Sequence, residues 1–74
     1  KGETEDRMLA VFEEIKDILP ISDFNLTREA ARLEKKVGTM STEEFKDILE
    51  RLAQDGYINK RTNPFGQNEY IEKE

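Results

Sequence analysis

The sequence predicts a small, mainly α domain of three helices followed by a C-terminal β-hairpin. Three observations lead there. Apolar residues recur at helical spacing in three separate segments. Start and stop residues bound each segment: Ser41 ahead of Glu44, Gly38 and Gly56 after the apolar stripes, and Pro20 after Leu19. Beyond Gly56 the pattern changes to two short extended runs around Asn63-Pro64-Phe65-Gly66.

Helix 1 is expected over about 4–19. Met8, Phe12, Ile15 and Leu19 share a face that Val11 and Ile18 widen. Thr4 is the expected N-cap, with Glu5 and Asp6 in the first turn, and Pro20 ends the helix. In "ISDFNLT", Phe24 and Leu26 alternate with polar neighbours and suggest a very short strand. Helix 2, about 28–37, takes Thr27 as N-cap, Ala30, Leu33 and Val37 as its stripe, and Gly38 as its stop.

Helix 3, about 42–55, carries the clearest local signal. Ser41 and Glu44 form an S-x-x-E capping box, and Met40 and Phe45 are placed for a hydrophobic staple. Phe45, Ile48, Leu49, Leu52 and Ala53 make its buried face. The hairpin, about 57–72, turns on Asn63, Pro64 and Gly66, which suit a type I turn closed by a left-handed glycine. That geometry fixes a register: Asn63 opposite Gln67, Arg61 opposite Glu69, and Asn59 opposite Ile71. Ile58 and Tyr70 then face the core, and Tyr57 and Ile71 face away. Helix, short strand, helix, tight turn, helix, strand, wing, strand is the order of a winged helix, a helix-turn-helix with a hairpin appended.

Composition narrows the function. The 74 residues allow one small domain, and Lys1 opens them without an initiator methionine, as expected of a fragment from a longer protein. The absence of Cys and His excludes disulfides, Cys/His zinc sites, histidine bases and cysteine nucleophiles. No apolar run reaches membrane-spanning length and no signal-peptide pattern is present, so an intracellular setting is expected. A net charge of −5 argues against strong nucleic-acid affinity, which rests largely on neutralised phosphates.

The pattern "RMLAVFEEIKDIL … EEFKDILERLAQDGYI … NEYIEKE" resembles the C-terminal winged-helix domain of archaeal minichromosome-maintenance (MCM) replicative helicases. It is also similar to the winged helix that ends the middle subunit of replication protein A. The resemblance implies an accessory domain without catalysis of its own. In the helicases such a domain is tethered behind the motor and modulates helicase activity or contacts partners. In replication protein A it is a docking platform for repair proteins.

A DNA-reading winged helix places helix 3 in the major groove, N-terminal residues first. Here those residues are Thr42-Glu43-Glu44, and the whole exposed face comprises Glu43, Glu44, Lys46, Asp47, Glu50, Arg51, Gln54 and Asp55. Five acids against two bases oppose a phosphate backbone. A solvated face with pairs such as Asp47–Arg51, or a protein-facing one, is the expectation. Basic residues gather elsewhere. Arg28, Arg32 and Lys35 share a face of helix 2, and Lys60 and Arg61 lead into the hairpin turn beside Asn63 and Phe65. These two groups are the candidate contacts for another protein domain or subunit, or for a weak, salt-sensitive contact with DNA. The ordinary account of the helix 2 group is dipole and solubility chemistry.

Catalysis is not expected. The carboxylates Glu13, Glu14, Asp17, Glu43, Glu44 and Asp47 fall on outward faces, with no cleft to shift them, and Gly38, Gly56 and Gly66 stand singly rather than forming a phosphate loop. No cofactor, metal or small-molecule ligand is expected. The competing function is a transcriptional regulator reading DNA through helix 3. A third option is single-strand binding with Phe65 stacked on a base.

Overall fold

Met8, Val11 and Ile15 recur at i, i+3 and i+7, and they form the fully buried stripe of α1, which spans Gly2–Ile15. The computed structural model describes residues 2–73, with side chains from residue 5 onward. Phe12, Ile18 and Leu19 pack only partly against the core, so the buried face is turned slightly from the one expected through Phe12 and Leu19. Two further expectations for α1 fail. The helix already includes Thr4, which is therefore not its N-cap; the Thr4 side chain lies outside the described residues. The helix also ends at Ile15 rather than Leu19. The Ile18 and Leu19 amides both turn back to the Ile15 carbonyl, at 2.8 and 3.1 Å. A residue preceding proline is driven out of the helical region, and here the tightening begins three residues earlier.

The tightened end aims the chain at the sheet. β1 is Ile21–Ser22, not the Phe24–Leu26 segment. Its place is set by pairing: Ile21 lies opposite Tyr70 and Ser22 opposite Glu69. Phe24 falls in a 3-10 turn, Asp23–Asn25, that runs directly into α2, Leu26–Val37. That turn starts the helix earlier than expected, so Thr27 lies inside it and Asn25 holds the capping position without a side-chain cap. Leu26, Ala30 and Leu33 are buried, and Val37 is half-buried.

α3 spans Thr42–Gln54. Ser41 Oγ accepts from the Glu44 amide at 3.0 Å, so half of the capping box forms. The other half does not, because the Glu44 carboxylate pairs with Arg7 at 2.7 Å. Met40 and Phe45 are both buried, as the staple requires. Phe45, Leu49 and Leu52 are fully buried, while Ile48 and Ala53 pack at the margin. The helix closes on Gly56 at φ +90°, with Gly56 N–H on the Ala53 carbonyl and Tyr57 N–H on the Leu52 carbonyl. Those two bonds define a Schellman stop, and they launch the chain straight into the hairpin.

β2 (Ile58–Thr62) and β3 (Asn68–Glu72) pair antiparallel in the expected register, Arg61 opposite Glu69 and Asn59 opposite Ile71. The sheet order is β1-β3-β2, so β3 is central. Ile58 and Tyr70 are buried, as the turn geometry required. Tyr57, expected to face away, lies just before β2 and instead tilts against Phe12 of α1, with ring centroids 5.3 Å apart. The described residues thus form three helices and a small three-stranded antiparallel sheet around a single core cluster, with α3 packed directly on β2.

Candidate functional site

The hairpin turn is built by Asn63. Its amide donates to the Gln67 carbonyl at 2.8 Å, and its carbonyl accepts from Gly66 N–H at 2.9 Å. Its Oδ1 accepts from the amides of Phe65 and Gln67, both at 3.0 Å. Gly66 sits at φ +83°, where a side chain would be strained. Asn63 thus braces the turn from within, and Phe65 is the side chain it leaves over, 87% exposed.

Lys60 and Arg61, expected beside Phe65 as a pair of contacts, point to opposite faces of β2. Arg61 pairs across the strands with Glu69 at 3.1 Å. Lys60 turns toward α3, 2.5 Å from Glu50, with its ammonium 5.9 Å above the Tyr70 ring. Glu50 also accepts from the Tyr70 hydroxyl at 2.6 Å. One carboxylate thus ties α3 to both hairpin strands. The hydrogen bonds from Lys60 and then Tyr70 hold its carboxyl below the usual range. Burial, followed by the bond to Glu50, pushes the Tyr70 phenol upward. No local pattern marks this tie, because Glu50 and Tyr70 are twenty residues apart.

The helix 2 group sits on a different element, which packs on α1 and α3 rather than on the hairpin strands. Arg28, Arg32 and Lys35 are all exposed on it. Arg28 and Arg32 share one carboxylate, Glu29, at 3.7 and 3.3 Å. Lys35 has no ion-pair partner among the described residues. The two candidate groups thus sit on different elements.

The outward face of α3 keeps its acids. Glu43 and Asp47 are exposed and carry no ion pair among the described residues. Arg51 pairs with Asp55 at 3.2 Å rather than with Asp47. In the last turn a cation swings toward the negative end of the helix, where Asp55 stands. Lys46 is the remaining base. Arg7, which carries no local motif, joins three segments. It reaches Glu44 and the carbonyl oxygens of Val37 (2.9 Å) and Thr39, pinning the α2–α3 connection to α1. Between α1 and α3, Met8 and Ile48 floor a shallow cleft of about 280 Å³ rimmed by Arg7, Glu44, Asp47 and Arg51.

No protein-family model, curated protein or solved structure matches this chain. Glu13 pairs with Lys16 at 2.8 Å and Glu44 with Arg7, so two of the carboxylates weighed for acid–base chemistry are already neutralised. Among the described residues no three metal-ligating side chains converge, and no helix is long and apolar enough to cross a membrane.

Proposed function

We propose that this chain is a winged-helix module without catalysis of its own, acting by protein contact within a DNA replication or repair assembly, as its resemblance to the MCM helicase domain suggests. Any DNA contact is weak and indifferent to sequence, through the Arg28, Arg32 and Lys35 face or through Arg61. The element order and the β1-β3-β2 sheet support the winged-helix reading. An intracellular setting accompanies it.

The observation that carries the functional reading is the charge on α3. The surface a DNA-reading winged helix would lay in the major groove presents Glu43 and Asp47 unpaired, while Arg51 is neutralised by Asp55. Lys46 alone does not offset two carboxylates beside phosphates. The hairpin cations are engaged too, Lys60 by Glu50 and Arg61 by Glu69.

A titration with duplex DNA at several salt concentrations tests this. The expected result is no sequence preference, and at most a weak association that disappears as salt rises. Sequence-specific binding tighter than about micromolar, lost when Lys46 or Arg51 is replaced, would overturn the proposal in favour of a transcriptional regulator.

A further inference from the structure

The apolar stripe of α3 is not fully covered. Phe45, Leu49 and Leu52 are fully buried, but Ile48, on the flank toward α1, is only half-buried. With Met8 of α1 it floors the shallow cleft of about 280 Å³ between the two helices. The surface that lies open there is mostly apolar. Small-molecule sites commonly span roughly 300–1,000 Å³ and enclose their ligand. A smaller, open cleft suits one or two side chains of a peptide instead.

The rim is braced from within the domain. Arg7 is held by Glu44 and by the carbonyls of Val37 and Thr39. Arg51 is held by Asp55 at 3.2 Å. Each base on the rim therefore has a carboxylate of its own, Glu44 for Arg7 and Asp55 for Arg51. Asp47 is left over, exposed and without an ion pair among the described residues. Glu43, four residues earlier on the same helical face, is in the same position. Lys46 does not serve either of them. It lies on the flank of Glu50, whose carboxyl its charge helps to hold down.

The charge beside the apolar floor is thus a surplus of carboxylate, which repels phosphate-bearing ligands and is complementary to a cation. Covering Met8 and Ile48 removes apolar surface from water, and a base set against Asp47 adds specificity and speeds encounter. An amphipathic segment laid in an interhelical groove offers both at once. Because the rim side chains are already tied down, little has to be ordered when it binds.

We infer that the α1–α3 cleft docks a segment of a partner protein that seats an apolar side chain on Met8 and Ile48 and sets a lysine or arginine against Asp47. This rests on the protein-contact function proposed above and adds its surface and its chemistry.

The test selects a phage library of random peptides on the full chain and measures the enriched peptides against Asp47→Lys, Asp47→Asn and Ile48→Ala. Asp47 makes no ion pair among the described residues, so circular dichroism melts of its two variants should lie close to the parent. Ile48→Ala is measured below its own melting midpoint, and the Asp47 variants decide the outcome even where it folds poorly. The expected peptides combine a large apolar residue with nearby lysine or arginine. Their affinity should fall at least about ten-fold with Asp47→Lys and with Ile48→Ala, and Asp47→Asn should flatten its decline with salt. Peptides that bind Asp47→Lys as well as the parent would overturn this surface while leaving the protein-contact function standing. Enriched peptides that are acidic or lack bases would overturn the chemistry, and enrichment of no peptide would overturn the docking site. Sequence-specific duplex binding in the titration described above would overturn the function beneath it. Self-association in sedimentation that Asp47→Lys abolishes would overturn the partner in favour of a second copy.

Discussion

Replacing Glu50 with Ala is expected to destabilise the domain by about 2 kcal/mol, although Glu50 is a half-exposed carboxylate on a helix surface. The magnitude follows from what Glu50 holds. Tyr70 is fully buried, and its hydroxyl donates to Glu50 at 2.6 Å. Removing the acceptor orphans that hydroxyl, a loss of roughly 1–3 kcal/mol, with the lower half applying because the vacated side chain lets water approach. The Lys60 pair is partly exposed, with side chains 41% and 34% accessible on Glu50 and Lys60, so solvent screening holds its share to about 0.5 kcal/mol. A thermal melt by circular dichroism reads the sum. At about 4–8 °C per kcal/mol for a domain of this size, the midpoint should fall by roughly 8–16 °C. Tyr70→Phe supplies the second side of a cycle. It deletes the donor and leaves Glu50 to Lys60 and water, costing about 0.5–1 kcal/mol. The double variant should lose less than the two singles combined, by about 1 kcal/mol, because no hydroxyl remains to be orphaned. A Glu50→Ala midpoint within about 2 °C of the parent, or strict additivity in the cycle, would refute the reasoning.

The remaining predictions concern the core, the interhelical clamp and pH. Leu49→Ala or Leu52→Ala should each cost about 2–5 kcal/mol in urea unfolding, because both are fully buried at the centre of the cluster; near-neutral values at both would mean α3 is not central. Arg7→Met keeps much of the stem's packing but removes the bonds to Glu44, Val37 and Thr39, and it should lower the urea midpoint by the equivalent of about 1–2 kcal/mol with an unchanged slope. Glu50 titrates below its ordinary 4.5 when folded, so the stability it contributes is present above that value and is lost as pH falls through its lowered folded pKa. Tyr70 is raised from 10.0, so its contribution is complete below pH 10 and drains away as pH climbs beyond it; urea midpoints against pH should fall at both ends, and Glu50→Gln should flatten the acid limb.

What the sequence made legible was local. Asn63-Pro64-Phe65-Gly66 specifies one turn, that turn specifies one register, and the register places Ile58 and Tyr70 inside before any tertiary contact is considered. Ser41 with Glu44, and Gly56 after the last apolar residue, mark α3 in the same way. Several of the misplacements involve partners distant in the chain. Ile21–Ser22 is a strand because β3 lies beside it, not because of any alternation of its own, and alternation pointed instead to Phe24 and Leu26. Glu44 leaves the capping box half-formed because Arg7, thirty-seven residues away, offers a charged partner. The candidate site divides along the same line. Phe65 was identifiable from its place in the turn. The engagement of Lys60 needed the helix it packs against.

That engagement bears on function. A cation beside a hairpin turn reads, in sequence, as a phosphate contact. Lys60 instead closes the α3–hairpin tie, so a polyanion capturing it must first take it from Glu50. The capture would also leave a carboxylate facing the phosphates, which is unfavourable at any salt concentration low enough for the contact to matter. Arg61 stands in the same relation to Glu69. The hairpin is therefore electrostatically occupied by its own domain, and DNA could compete for its cations only by weakening the fold that presents them. Phe65 bears no such cost. Its exposed side chain forms no bond that a partner would have to break, and the turn beneath it is complete without it.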